Sequence, residues 1–144
     1  MNWQVKKFDE LSTRELFEIY YARTEIFVVE QNCPYQEVDY ADLISTHVFQ
    51  TEDERVIAYA RIIPEEDGIH FGRVIVKKEA RGNGLAKALI SEVLTQIEYT
   101  YPNQPVKIQA QAYLEAFYGS FGFKAVSEPY LEDDIPHIDM VLQA

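Results

Sequence analysis

The stretch Val74-Ile75-Val76-Lys77-Lys78-Glu79-Ala80-Arg81-Gly82-Asn83-Gly84-Leu85-Ala86-Lys87-Ala88-Leu89-Ile90 joins an apolar strand to a helix through a turn that carries two glycines. Val74 to Val76 is β-branched throughout and reads as a buried strand. Gly82 and Gly84 give the turn backbone angles that aim successive N–H groups at one point, and such a concave row of donors binds anions. Past the turn, Ala86, Leu89, Ile90, Val93, Leu94 and Ile97 recur at helical spacing. The donors therefore stand at the positive end of a helix dipole, where a diphosphate fits.

Local charge agrees. Residues 73–87 hold Arg73, Lys77, Lys78, Arg81 and Lys87 against Glu79 alone, in a chain whose net charge is −11. The turn is not a nucleoside-triphosphate loop, because no Gly-Lys-Ser/Thr closes it. It is not Gly-x-Gly-x-x-Gly either, because Lys87 occupies the third glycine position. What remains is Arg81-x-x-Gly84-x-Ala86, a pattern that resembles the acyl-CoA pyrophosphate signature of the GNAT superfamily of N-acetyltransferases.

On the N-terminal side of this stretch, residues 2–8 alternate like a short edge strand. Ser12 with Glu15 forms a capping box for a helix that carries Leu16, Ile19, Tyr20, Arg23, Ile26 and Phe27 and ends around residues 30–32. Residues 31–45 read as an irregular acidic segment with Glu37, Asp39 and Asp42, long enough to close over an acceptor. Strands over 46–51 and 55–63 lead through a turn at 64–68 into the strand ending at Val76, an antiparallel meander. On the C-terminal side, Pro102-Asn103-Gln104-Pro105 ends the long helix. A strand over 106–112, a short helix over 113–120, a strand over 121–128 and a last strand over 137–142 follow. The expected fold is a single α/β domain of the α+β type spanning residues 1–144, with a mixed, mostly antiparallel sheet flanked by helices.

Composition narrows the function. At 144 residues the chain is one domain long, and 47% hydrophobic residues support a packed core. No apolar run is long enough to span a bilayer, the N-terminus has no apolar signal core, and Cys33 is the single cysteine. These features point to a soluble cytoplasmic protein without an internal disulfide. Twenty-four acidic against 13 basic residues argue against nucleic acid or anionic lipid as a partner and favour a cationic one. Three scattered histidines and one cysteine have no zinc spacing, so no metal is expected.

A second motif falls where the first one places it. Phe117-Tyr118 with Gly122-Phe123 resembles the superfamily's Phe-Tyr-x-x-x-Gly-Phe pattern on the short helix after the fifth strand. The chain further resembles the ElaA-like branch of that superfamily along nearly its whole length. The shared residues include Phe27-Val28-Val29-Glu30-Gln31, Cys33-Pro34-Tyr35, His47, Ala60-Arg61, Gly72-Arg73-Val74, Gln111-Ala112 and Ile135-Pro136-His137. Two departures stand out: Asp134 replaces the branch's usual glycine, and Ala86 is the less common choice at its position.

The resemblance implies an acetyl-CoA-dependent N-acyltransferase acting on a primary amine of a small molecule or protein. It also implies a fold whose strands splay at the acyl-CoA site. The pantetheine would lie along the main chain of Val74, Ile75 and Val76, and the diphosphate on Arg81, Gly82, Asn83, Gly84, Leu85 and Ala86. Gln111 and Phe117 complete the implied cofactor-binding set. Tyr118 matches the general acid that protonates the CoA sulfur. For the general base, His47 and His137 lead and His70 follows, since imidazole titrates near neutral pH and these residues are expected near the acceptor cleft. The partners are acetyl-CoA and an amine, with a homodimer left open. The alternatives are a catalytically silent acyl-CoA-binding regulatory module and, disfavoured by the missing Lys-Ser/Thr, a nucleotide-binding module.

Overall fold

In the computed structural model, which describes residues 3–143, strand β1 (Gln4–Lys7) covers part of the expected 2–8 strand. Phe8 already turns out of it, and Asn2 lies outside the described residues. Helix α1 (Thr13–Arg23) opens on the expected capping box: Ser12 Oγ accepts from the Glu15 N–H at 3.0 Å, and the Glu15 carboxylate accepts from the Ser12 N–H at 2.8 Å. The helix does not continue to residue 30 as a regular α-helix. Thr24–Glu30 winds as a π-helix, and the Gln31 N–H reaches five residues back to the Ile26 carbonyl. Widened turns of this kind re-aim side chains, and they are common beside functional sites.

The meander consists of β2 (Thr46–Glu52), β3 (Arg55–Glu65) and β4 (Gly68–Val76). Helix α2 (Leu85–Thr100), β5 (Val106–Gln111) and the short α3 (Glu115–Gly119) follow, then β6 (Lys124–Ala125), β7 (Tyr130–Glu132) and β8 (Ile135–Leu142). The sheet order is β1-β2-β3-β4-β5-β8-β6, with β7 also on β8; every pairing is antiparallel except β4 with β5. Alternation along the central strands builds two cores. Val48, Ala58 and Ala60 pack with Leu89, Ile90 and Val93 of α2, while Phe49, Tyr59 and Ile75 pack with Ile19 and Ala22 of α1.

One expectation is corrected near the C-terminus. The strand expected over 121–128 is reduced to Lys124–Ala125, and a hairpin of β7 and β8 stands beyond it. Its two-residue turn is Asp133-Asp134, both left-handed with φ of 52° and 63°. Such turns match the twist of the strands and usually carry glycine or asparagine, so this pair of aspartates concealed the hairpin.

The acidic segment 31–45 is also corrected, because its carboxylates face the protein's own arginines. Arg23 of α1 is fully buried and donates from Nε to Glu37 at 2.9 Å, from Nη1 to Asp42 at 2.7 Å, and from Nη2 to the Glu37 carbonyl at 3.0 Å. Arg61 of β3 donates to Asp39 at 2.6 Å and to Asp42 at 3.0 Å. Arg73 of β4 holds Glu37 at 2.6 Å and Asp39 at 3.4 Å. Three positive and three negative groups thus balance inside the fold, and they staple the segment to α1, β3 and β4.

Breaking such a group is expected to be costly, since removal of one partner strands the opposite charge away from water. Asp42→Ala should lower the unfolding free energy by about 3–5 kcal/mol. Lys107→Ala, which removes an exposed ion pair with Asp67, should change it by a small fraction of that loss. Urea denaturation of the two variants beside the parent protein checks the contrast, and equal losses would contradict it.

Candidate active site

Strands β4 and β5 are parallel neighbours only at Ile69↔Val106 and His70↔Lys107. Beyond that point β5 stays paired with β8 through Gln111, while β4 stays paired with β3 through Val76. The two strands therefore part, and each leaves an unpaired main-chain edge along the gap. The cause lies in β4. Tyr59↔Ile75 is followed by Arg61↔Gly72, so two steps on β3 face three on β4. The surplus residue is a bulge that bends the strand, and Arg73 within it is left-handed with φ of 51°. That conformation costs a non-glycine residue about 1–2 kcal/mol. Arg73 is held in it by Glu37 and Asp39, and its guanidinium also lies over the Tyr35 ring at 5.5 Å.

A cleft of about 570 Å³ occupies the gap. Val74, Ile75 and Val76 line one wall, Gln111, Phe117 and Tyr118 line another, and Ile26, Phe27 and Glu30 of the widened turns face them. The Val76 carbonyl points to the open edge, where it accepts from Arg81 Nε at 2.8 Å. In an extended strand the N–H and C=O of one residue point the same way, so the Val76 N–H faces the gap as well.

The glycine turn closes one end of the site. Gly82 and Gly84 both have positive φ, 88° and 82°, and open space lies where a side chain would stand on either one. The first bond of α2 runs from the Ala88 N–H to the Gly84 carbonyl, which leaves the N–H groups of Leu85, Ala86 and Lys87 without helical partners. Ala86 and Arg81 line the cleft; Gly82, Asn83 and Gly84 are exposed in the turn between them, and the Leu85 side chain is buried in the core. Arg81 is engaged across the groove, since its Nη2 also donates to Glu30 at 3.1 Å.

Tyr118 lies against Phe117, Phe71 and Phe123, with ring centroids 5.1 to 6.3 Å apart, and is 5% exposed. Burial pushes its phenol well above the ordinary value, and Tyr113 adds to the effect. The group therefore keeps its proton throughout the neutral range. His137 lines the same cleft and is opposite Gln111 in the sheet register. His70 also lines it, bonded to Asp67 at 2.9 Å.

His47 does not face the cleft. It is fully buried under the acidic segment; Nε2 donates to the Asp42 carbonyl at 3.0 Å, and Nδ1 accepts from the Tyr59 hydroxyl. Burial lowers its pKa, outweighing the neighbouring Asp42. Both ring nitrogens are occupied, so His47 is part of the support for the ion network. Sequence periodicity places it on a strand start but does not say which face the ring occupies. Among the described residues, no group of three or more His, Cys, Asp or Glu is arranged to hold a metal, and no helix is long and apolar enough to cross a membrane.

Comparison with known proteins places this geometry in a family. The model of the acetyltransferase (GNAT) domain matches residues 16–144. Protein ElaA of Escherichia coli is 41% identical over 152 residues, covering 100% of this chain and 99% of that protein. The crystal structure of Escherichia coli ElaA superposes with a TM-score of 0.96 over 99% of this chain and 100% of that one. An acyl-CoA N-acyltransferase from Pseudomonas aeruginosa, 44% identical, superposes with a TM-score of 0.94 over 98% of each chain.

The ion pairs that hold the bulge carry a pH signature. The Arg61 hydrogen bond, offset in part by burial, holds the Asp39 carboxyl below the ordinary aspartate value. A lowered carboxyl contributes stability above its unfolded pKa, near ~3.9, and loses that contribution as pH falls through its folded value. Asp39→Asn mimics the protonated state. The stability gap between parent and variant should be full above about pH 5 and shrink steadily below about pH 4. Denaturant titrations across the acid range check this, and a gap independent of pH would exclude an ionic role for Asp39.

Proposed function

Because the chain belongs to the GNAT acetyltransferase family, we propose that it is an N-acyltransferase that moves an acetyl group from acetyl-CoA to a primary amine of a small molecule or a protein. The observation that carries this reading is the separation of β4 from β5, with the glycine turn at one end of the gap and Tyr118 on its wall. In it, the diphosphate rests on the N–H groups of residues 82–87, and the pantetheine hydrogen-bonds along Val74 to Val76 between Phe117 and Gln111. The Val76 N–H meets the thioester oxygen as that oxygen gains charge, a stabilisation available from main chain alone.

Tyr118 protonates the departing sulfur. A phenol carries its proton throughout the neutral range, so the proton is in place when the thiolate forms. His137 serves as the base. Its Nδ1 lies 2.7 Å from the Ile135 carbonyl, which can only accept, so Nδ1 carries a proton and in the neutral ring Nε2 offers a lone pair.

Acetyl-CoA should raise the melting temperature of the protein, and Gly84→Val should remove the shift, because a side chain there fills the diphosphate's place. Equal shifts would move the site elsewhere, and unliganded melting of both proteins controls for misfolding. Tyr118→Phe keeps the ring and removes the hydroxyl. Single-turnover thiol release should fall about 10²–10⁴-fold with acetyl-CoA affinity little changed. A full-rate variant would end the general-acid assignment. CoA binding without thiol release for any amine would instead identify a silent acyl-CoA-binding module.

A further inference from the structure

The hairpin of β7 and β8 brings one carboxylate and one imidazole to the same wall of the cleft. Glu132 ends β7, His137 stands near the start of β8, and the tight Asp133-Asp134 turn fixes their separation. The Cys33 thiol approaches the Asp133 carbonyl at 3.5 Å, so the tip of the hairpin rests on the loop after the widened turns. The His137 ring is 13% exposed and stacks on Tyr130, with centroids 6.3 Å apart. Its Nδ1 is committed to the Ile135 carbonyl, which leaves Nε2 as an acceptor.

Glu132 Oε2 lies 3.7 Å from that Nε2. This is beyond a direct hydrogen bond. Both residues line the cleft, and with the imidazole neutral both atoms accept. A single nitrogen placed between them at about 2.9 Å from each fits the separation, provided that it carries at least two hydrogens. One of the two acceptors is anionic, so the group that satisfies both is a cation. A primary ammonium meets these conditions. A quaternary ammonium has no hydrogen to give.

We propose that Glu132 and Nε2 of His137 together receive the acceptor's primary ammonium group, so that the enzyme selects amines that arrive protonated. This rests on the transferase reading for the fate of the amine, though the binding itself does not. One ammonium proton passes to Nε2, where the imidazolium is stabilised by Glu132, and the nitrogen lone pair attacks the thioester carbon. The carbon–sulfur bond then breaks, the thiolate takes the Tyr118 proton, and the surplus proton on the new amide nitrogen returns to Tyr118. The His137 proton leaves to solvent. One carbon–nitrogen bond forms, one carbon–sulfur bond breaks, and the products are the amide, free CoA thiol and one released proton. Glu132 binds and orients; His137 takes the proton.

The test uses the full chain saturated with unreactive CoA, titrated with propylammonium and, separately, with trifluoroethylamine, which is uncharged at neutral pH. Binding is followed through the His137 ring signals by NMR. The parent protein should bind propylammonium, and Glu132→Gln should weaken that binding about 10- to 100-fold, the scale of one charge-assisted hydrogen bond. Binding of the uncharged amine should be nearly unaffected by the substitution. In thiol-release assays, the amine KM should rise in Glu132→Gln while the acetyl-CoA KM stays constant. Absence of propylammonium binding by the parent, or equal losses for both amines, overturns the ammonium site. Thiol release that persists in such a case would leave the transferase reading intact. Ammonium binding without any thiol release would sink that reading and keep the site.

Discussion

Arg73 occupies a backbone conformation that arginine does not favour, in a strand that needs one residue fewer to match its neighbour. Its guanidinium is held by Glu37 and Asp39, and those carboxylates are in turn shared with Arg23 and Arg61. The network is neutral as a whole, which is the condition under which so many charges can leave water. It also explains the irregular segment 31–45. That segment buries Glu37 and Asp42 while Tyr40, Leu43 and Ile44 stay exposed, so ion pairs rather than apolar packing hold it in place. The bulge lies just past the last residues at which β4 pairs with β5, where the cleft opens.

The consequence for chemistry is a division of labour. In the proposed transferase, recognition of the thioester cofactor would fall to main-chain groups: the open edge of β4 and the N–H groups ahead of α2. The strand and the helix that carry these groups are anchored in the core: Ile75 of β4 packs with α1, and Leu89, Ile90 and Val93 of α2 pack on the opposite face. In the same proposal, the side chains of Tyr118 and His137 are left for the reacting atoms. Tyr118 is dry enough to remain a phenol, and His137 has one nitrogen fixed by a carbonyl so that the other stays available. Arg81 joins the two halves, since it touches the Val76 carbonyl and Glu30 on the opposite wall.

Much of this was legible before the structure. The glycine turn, the apolar stripe of α2 and the capping box of α1 are local signals, and each lies where its spacing puts it. The Phe117-Tyr118 motif also lies on a helix facing the cleft. What was not legible depends on pairing at a distance. Nothing near Glu37, Asp39 or Asp42 in sequence says that Arg23, Arg61 and Arg73 await them, so from sequence alone the segment reads as an irregular loop that closes over an acceptor. His47 misled for the same reason: its partners are the Tyr59 hydroxyl and a carbonyl from a loop. The Asp133-Asp134 turn lacks the glycine that would have announced a hairpin.

In the proposed enzyme, the separated edge of β4 and the donors of the glycine turn together hold an acyl-CoA. Amide hydrogen exchange reports on those N–H groups directly. Addition of CoA should slow exchange at Val74 and Val76, on the open edge, and at residues 82–87 in the turn, while Val48 and Ala60 in the closed part of the sheet remain as they were. Unchanged exchange at both the edge and the turn, under conditions where CoA is bound, would contradict the account.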